Sequence, residues 1–128
     1  MDSVKGKRYV LITAGKVTVE AELNDSATAK AIWDALPISG RVSTWGDEIY
    51  FYIQLKLQPE NPKEVVSMGD LAYWPDGPAL CIFFGLTPAS RGNEIRPASP
   101  VNVFGQVIGD PQILRQVQDG SEIKFTKK

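Results

Sequence analysis

The chain has 128 residues, 43% of them apolar and 23% charged, enough for one globular domain with its own core. A net charge of −1 with no basic block argues against nucleic-acid binding by phosphate neutralisation. With no histidine and a single cysteine, Cys81, the chain excludes Ser-His and Cys-His catalysis, a His-based zinc site and an intrachain disulfide.

Residues 7–13 (KRYVLIT) and 17–23 (VTVEAEL) read as an N-terminal hairpin about the turn Ala14-Gly15-Lys16, the second strand alternating strictly between apolar and polar positions. Asn24 or Asp25 is expected to cap a helix whose apolar stripe is Thr28, Ile32, Ala35 and Leu36, with Trp33 at its border and Pro37 as its stop.

Residues 41–53 (RVSTWGDEIYFYI) form a second predicted hairpin. Gly46-Asp47 has the glycine-first chemistry of a two-residue turn, which pairs Trp45 with Glu48, Ser43 with Tyr50 and Arg41 with Tyr52. Those six share a face of mixed aromatic, hydroxyl and charged groups, with Arg41 placed over Tyr52 as a cation–π pair. Val42, Thr44, Ile49, Phe51 and Ile53 form the opposite, core face.

Residues 54–61 read as loop and 63–66 as a short helical turn. The most apolar stretch follows at 69–85 (GDLAYWPDGPALCIFFG), a hairpin about Pro75-Asp76-Gly77 read as a three-residue loop. In that register Ala72, Trp74, Leu80, Ile82 and Phe84 share one face, and Leu71, Tyr73, Cys81 and Phe83 the other; a slip of one residue would exchange them. Neither face is polar, so both should be covered. Residues 86–100 form a long Pro-containing loop. A strand over 101–108 with a break or bulge at Gly105, a short helix over 111–117 capped by Asp110, and a last strand over 121–125 complete the chain. The expectation is one domain over residues 1–128: mainly β, a closed and mostly antiparallel barrel of about eight strands with two short helices capping its ends.

That element order, the Phe83-Phe84 pair and the run Val103-Phe104-Gly105-Gln106-Val107 resemble the cyclophilin fold. The strings GDLAYWPDGPALCIFFGLTP, TWGDEIYF and RPASPVNVFG are similar over nearly the whole chain to a small group of compact prokaryotic cyclophilin-like proteins without a settled function. Carried over from prolyl isomerases of the cyclophilin family, the resemblance places Arg41 near the arginine that donates to the imide nitrogen, and Phe84 on the second phenylalanine of the pocket. It puts Ile82 in place of a pocket glutamine and Trp74 in place of a small alanine at the cleft floor. The family's tryptophan and leucine have no counterpart in 87–99, and its histidine none at Val101 or Asn102.

Together these readings favour a binding module without efficient prolyl isomerisation. Its cleft is lined by Arg41, Trp45, Glu48, Tyr50, Tyr52, Trp74, Ile82 and Phe84 and rimmed by Arg96, Ser99 and Asn102. A small molecule or a peptide is the expected partner. The alternatives are a prolyl isomerase with a degenerate site and a structural, self-associating protein. Cys81, inside an apolar strand, is expected to be inert. No phosphate loop and no acidic cluster spaced for a metal is found, so neither a cofactor nor a metal is expected. Without a signal peptide or a stretch long enough to span a bilayer, a cytoplasmic protein with no membrane partner is expected.

Overall fold

The computed structural model of the chain describes residues 7–128. Its elements are β1 (Arg8–Ala14), β2 (Val17–Leu23), α1 (Ala27–Ala35), β3 (Ile38–Arg41), β4 (Ser43–Thr44), β5 (Glu48–Tyr52), β6 (Asp70–Trp74), β7 (Ala79–Phe83), β8 (Asn102–Ile108), a 3-10 helix (Pro111–Gln116) and β9 (Glu122–Lys127). All strand pairs are antiparallel, in the order β3-β9-β1-β2-β8-β6-β7-β5-β4.

The two ends of that sheet are halves of one stretch of chain. Residues 38–41 pair with β9, residues 43–44 pair with β5, and Val42 is the corner between them. Its N–H donates to the Ser121 carbonyl at 2.9 Å and its carbonyl accepts from Gly120 N–H at 2.7 Å, while its side chain enters the core. The change of partner nearly closes the barrel and leaves few unpaired edge groups. It also corrects the long hairpin expected over 41–53. Ser43 does oppose Tyr50, and Trp45 N–H does bond the Glu48 carbonyl at 3.0 Å across the Gly46-Asp47 turn. Arg41, however, opposes Glu122 on β9 rather than Tyr52.

The β6–β7 hairpin is displaced by one residue from the expected register. Trp74 pairs with Ala79 and Leu71 with Ile82, so the loop holds residues 75–78. Gly77 N–H closes a turn on the Trp74 carbonyl at 3.2 Å, and Pro78, which has no N–H to give the ladder, joins the loop and offers its carbonyl to Ile53. The faces therefore regroup. Leu71, Tyr73, Leu80, Ile82 and Phe84 enter the barrel core, whereas Ala72, Trp74, Cys81 and Phe83 point outward.

Gly105 sits at a bulge, as expected. Leu71 opposes Gly105 but Ala72 opposes Val103, leaving Phe104 as the extra residue. A Cβ at Gly105 would lie 2.6 Å from the Glu22 carbonyl oxygen, so only glycine fits between β2 and β6.

Both helices contribute to the core, through Ala29 and Ile32 of α1 and through Leu114 of the 3-10 helix, which Asp110 caps by accepting from Gln112 N–H. The cap of α1 is Ser26, not Asn24 or Asp25. Ser26 Oγ accepts from Ala29 N–H at 3.0 Å, and Asn24 acts one step earlier by accepting from Ser26. Ala35, expected in the apolar stripe, is exposed, and Ala29 takes its place. Residues 63–66 form no helical turn. Lys63 and Val66 instead make bridges to Val101 and Ile95, which lace the segments 54–69 and 86–101 to one another. These two segments cover the outer face of β6 and β7, where Val66, Ala72, Cys81, Phe83, Ile95 and Val101 form a second apolar cluster. The need for cover on both sides of β6–β7 is met in this way: barrel core inside, laced loops outside.

Candidate functional site

Between the outer face of β5–β7 and the segment 97–101 lies a pocket of about 220 Å³. The alternation of β5 sends Ile49 and Phe51 inward and leaves Glu48, Tyr50 and Tyr52 outward, and these three line the pocket. Trp45 reaches it from the β4–β5 turn and Trp74 from the end of β6. Glu48 (5% exposed), Cys81 and Val101 lie deepest, Trp45, Tyr50 and Trp74 are half-buried walls, and Tyr52 stands at the mouth with 58% of its surface exposed. The rings of Tyr50 and Tyr52 meet edge to face, with centroids 5.7 Å apart and planes at 88°.

Trp74 is held in place from two sides. Its Nε1 donates to Ser99 Oγ at 2.5 Å, and Ser99 Oγ donates in turn to Asp76 Oδ2 at 2.8 Å. Its ring lies so close to Gly77 that a Cβ there would strike it. Trp74 is thus a wall of the pocket and does not plug it.

Burial pushes the Glu48 carboxyl up to about 7, against a weaker opposing effect of a hydrogen bond with the Cys81 thiol. Burial, the Glu48 charge and that same bond push the Cys81 thiol well above its ordinary value, in keeping with the inert cysteine expected. Burial, then the neighbouring Tyr52, also raises the Tyr50 phenol.

Five of the eight residues expected to line a cleft are therefore together: Trp45, Glu48, Tyr50, Tyr52 and Trp74. The other three are elsewhere. Ile82 and Phe84 are inside the barrel, turned there by the shifted register. Arg41 is exposed over β9, with Nη1 donating to the Gly120 carbonyl at 3.1 Å. Of the three rim residues, Ser99 supports Trp74 as described. Arg96 turns to Glu94, its Nη2 lying 2.9 Å from Oε1. Asn102 is buried away from the pocket, where its Oδ1 accepts from Glu60 N–H at 2.8 Å and its Nδ2 donates to Thr28 Oγ1 at 3.1 Å and the Gln58 carbonyl at 2.9 Å. It fastens the segment after β5 to α1. The sequence reading missed Cys81, Pro97, Ala98 and Val101 as lining residues. Pairing Trp74 with Ala79 would have found Cys81, since that register puts it on the Trp74 face.

Among the described residues, no three acidic or cysteine side chains converge as a metal site would require, and no helix is long and apolar enough to cross a membrane.

A family model described as cyclophilin-like matches residues 8–126. The chain belongs to the cyclophilin-like family. Among solved structures, the solution structure of the hypothetical protein AF2241 from Archaeoglobus fulgidus is similar, with 41% sequence identity, 95% coverage of each chain and a TM-score of 0.81. No curated protein matches. In this cyclophilin-like barrel the positions that the resemblance to prolyl isomerases singles out do not converge: Arg41 is on the β9 side, Phe84 and Ile82 are in the core, and Trp74 shares the outer face with Cys81.

Proposed function

We propose that this cyclophilin-like domain is a binding module that takes a small ligand, or a side chain presented by a peptide, in the pocket between β5–β7 and residues 97–101, without efficient prolyl isomerisation. The observation that carries this reading is four aromatic rings, Trp45, Tyr50, Tyr52 and Trp74, gathered around the buried Glu48. Apolar walls with one or two placed polar groups are what small-ligand sites are made of. Isomerisation asks for a donor fixed beside a shaped apolar pocket, so that the twisted amide is bound better than the planar one. The Arg41 guanidinium, committed to the Gly120 carbonyl, weighs against that.

The test is a ligand screen followed by tryptophan fluorescence in a Trp33→Phe background, because Trp33 lies on α1 near Lys127, outside the pocket. A saturable change that Tyr50→Ala weakens is expected. No saturable change across small molecules and peptides would refute the reading, as would acceleration of X-Pro exchange by micromolar protein. Sedimentation over a concentration range checks the remaining alternative, self-association, which predicts a mass that rises with concentration.

A further inference from the structure

The pocket holds an acid with no base. Among the described residues, Glu48 makes no salt bridge, and Arg96, Arg115 and Arg41 are engaged with Glu94, Asp47 and the Gly120 carbonyl. The groups facing it are the Cys81 thiol from β7, the Tyr50 and Tyr52 phenols from its own strand, and uncharged Pro97, Ala98 and Val101 from the covering segment. Buried carboxylates are normally paired, because burial of a lone charge is costly. Here the open side of the carboxylate faces a cavity instead of a lysine or arginine.

The cavity walls have the complementary chemistry. Aromatic rings present a negative face, and a cation within about 6 Å of several of them is attracted to each, most strongly when desolvated. The perpendicular Tyr50 and Tyr52 rings supply two differently oriented walls, and Trp45 and Trp74 two more. A volume of about 220 Å³ has room for a small head group. No lysine or arginine lines it, so an anion would meet Glu48 unshielded.

We propose that the pocket binds the alkylammonium head of an organic cation, with the Glu48 carboxylate as counter-ion and Trp45, Tyr50, Tyr52 and Trp74 as its cage. The proposal rests on the pocket being a binding site and adds the class of ligand.

The test compares choline with its uncharged isostere 3,3-dimethylbutan-1-ol at pH 8, read by pocket tryptophan fluorescence. Choline is expected to bind at least tenfold more tightly, and Glu48→Gln to reduce that preference to near unity. Tyr52→Ala, at an exposed position that the fold does not depend on, is expected to weaken choline several-fold while leaving the melting temperature in place. A trimethyl-lysine peptide titrated in parallel tells a free cation from one carried on a partner's side chain, and tighter binding of either supports the proposal. Equal binding of choline and the isostere, or a preference that survives Glu48→Gln, overturns the cationic ligand but leaves a binding pocket. Silence of all three probes also overturns it, and the wider screen above then decides separately whether the pocket binds anything.

Discussion

Replacement of Glu48 by glutamine should change how stability depends on pH. Below pH 4.5 the Glu48 carboxyl is neutral in both the folded and the unfolded chain and adds no pH dependence. Between 4.5 and about 7 the unfolded chain ionises while the folded one keeps its proton, so stability falls as pH rises. Above about 7 the folded state carries the full cost of a buried carboxylate. At about 1.4 kcal/mol per pH unit, the interval from 4.5 to about 7 corresponds to about 3 kcal/mol. Glutamine has nearly the same shape, can accept from the Cys81 thiol and does not ionise. With a urea dependence of about 2 kcal/mol per M, the urea midpoint of Glu48→Gln should gain about 1.5 M on that of the wild type between pH 4.5 and pH 8. Other titrating groups, such as Asp70, raised by burial, and Glu60, lowered by the Thr28 and Ala27 donors, are common to both proteins and cancel in the difference. A gap that stays constant over this range would refute the claim that Glu48 is buried without a cationic partner.

Further measurements test the frame around the pocket. Gly105→Ala drives a Cβ against the Glu22 carbonyl and should cost about 1–3 kcal/mol in urea denaturation. Asn102→Ala strands Glu60 N–H and the Gln58 carbonyl and should cost about 1–3 kcal/mol, with faster amide exchange over residues 57–61. Arg41→Ala, at an exposed position outside the pocket, should leave ligand-dependent fluorescence unchanged and shift stability by no more than about 0.5 kcal/mol, as checked by titration and thermal melting. Cys81 should resist an aromatic disulfide reagent in the native protein at pH 8 and react at once in denaturant, because its thiol is both buried and held protonated.

Much of the barrel is local information. The strict alternation of 17–23 places Val17, Val19, Ala21 and Leu23 inside. Gly15 opens the first turn with a φ of 58°, and Pro111 after Asp110 starts the 3-10 helix. The outward face of β5 was legible for the same reason: a period of two, anchored at the Gly46-Asp47 turn, separates Glu48, Tyr50 and Tyr52 from Ile49 and Phe51. The β6–β7 faces were not, because Pro75-Asp76-Gly77-Pro78 accommodates either a three-residue or a four-residue loop. With apolar side chains on both faces, nothing in the local pattern distinguishes the two registers. That single residue decided that Phe84 and Ile82 enter the core and that Cys81 meets Glu48.

By itself, then, the sequence determined most of the strands, the inward and outward faces of β2 and β5, and the exclusion of histidine chemistry, since these depend on composition or on neighbours within a turn or two. Only the tertiary structure decided that β9 takes residues 38–41 away from β5 and carries Arg41 with them, and that the segments 54–69 and 86–101 lace over the outer face of β6–β7. Both outcomes follow from closure: a sheet end far away in sequence must be satisfied, and an apolar outer face must be covered, and no short-range pattern encodes which distant segment does so.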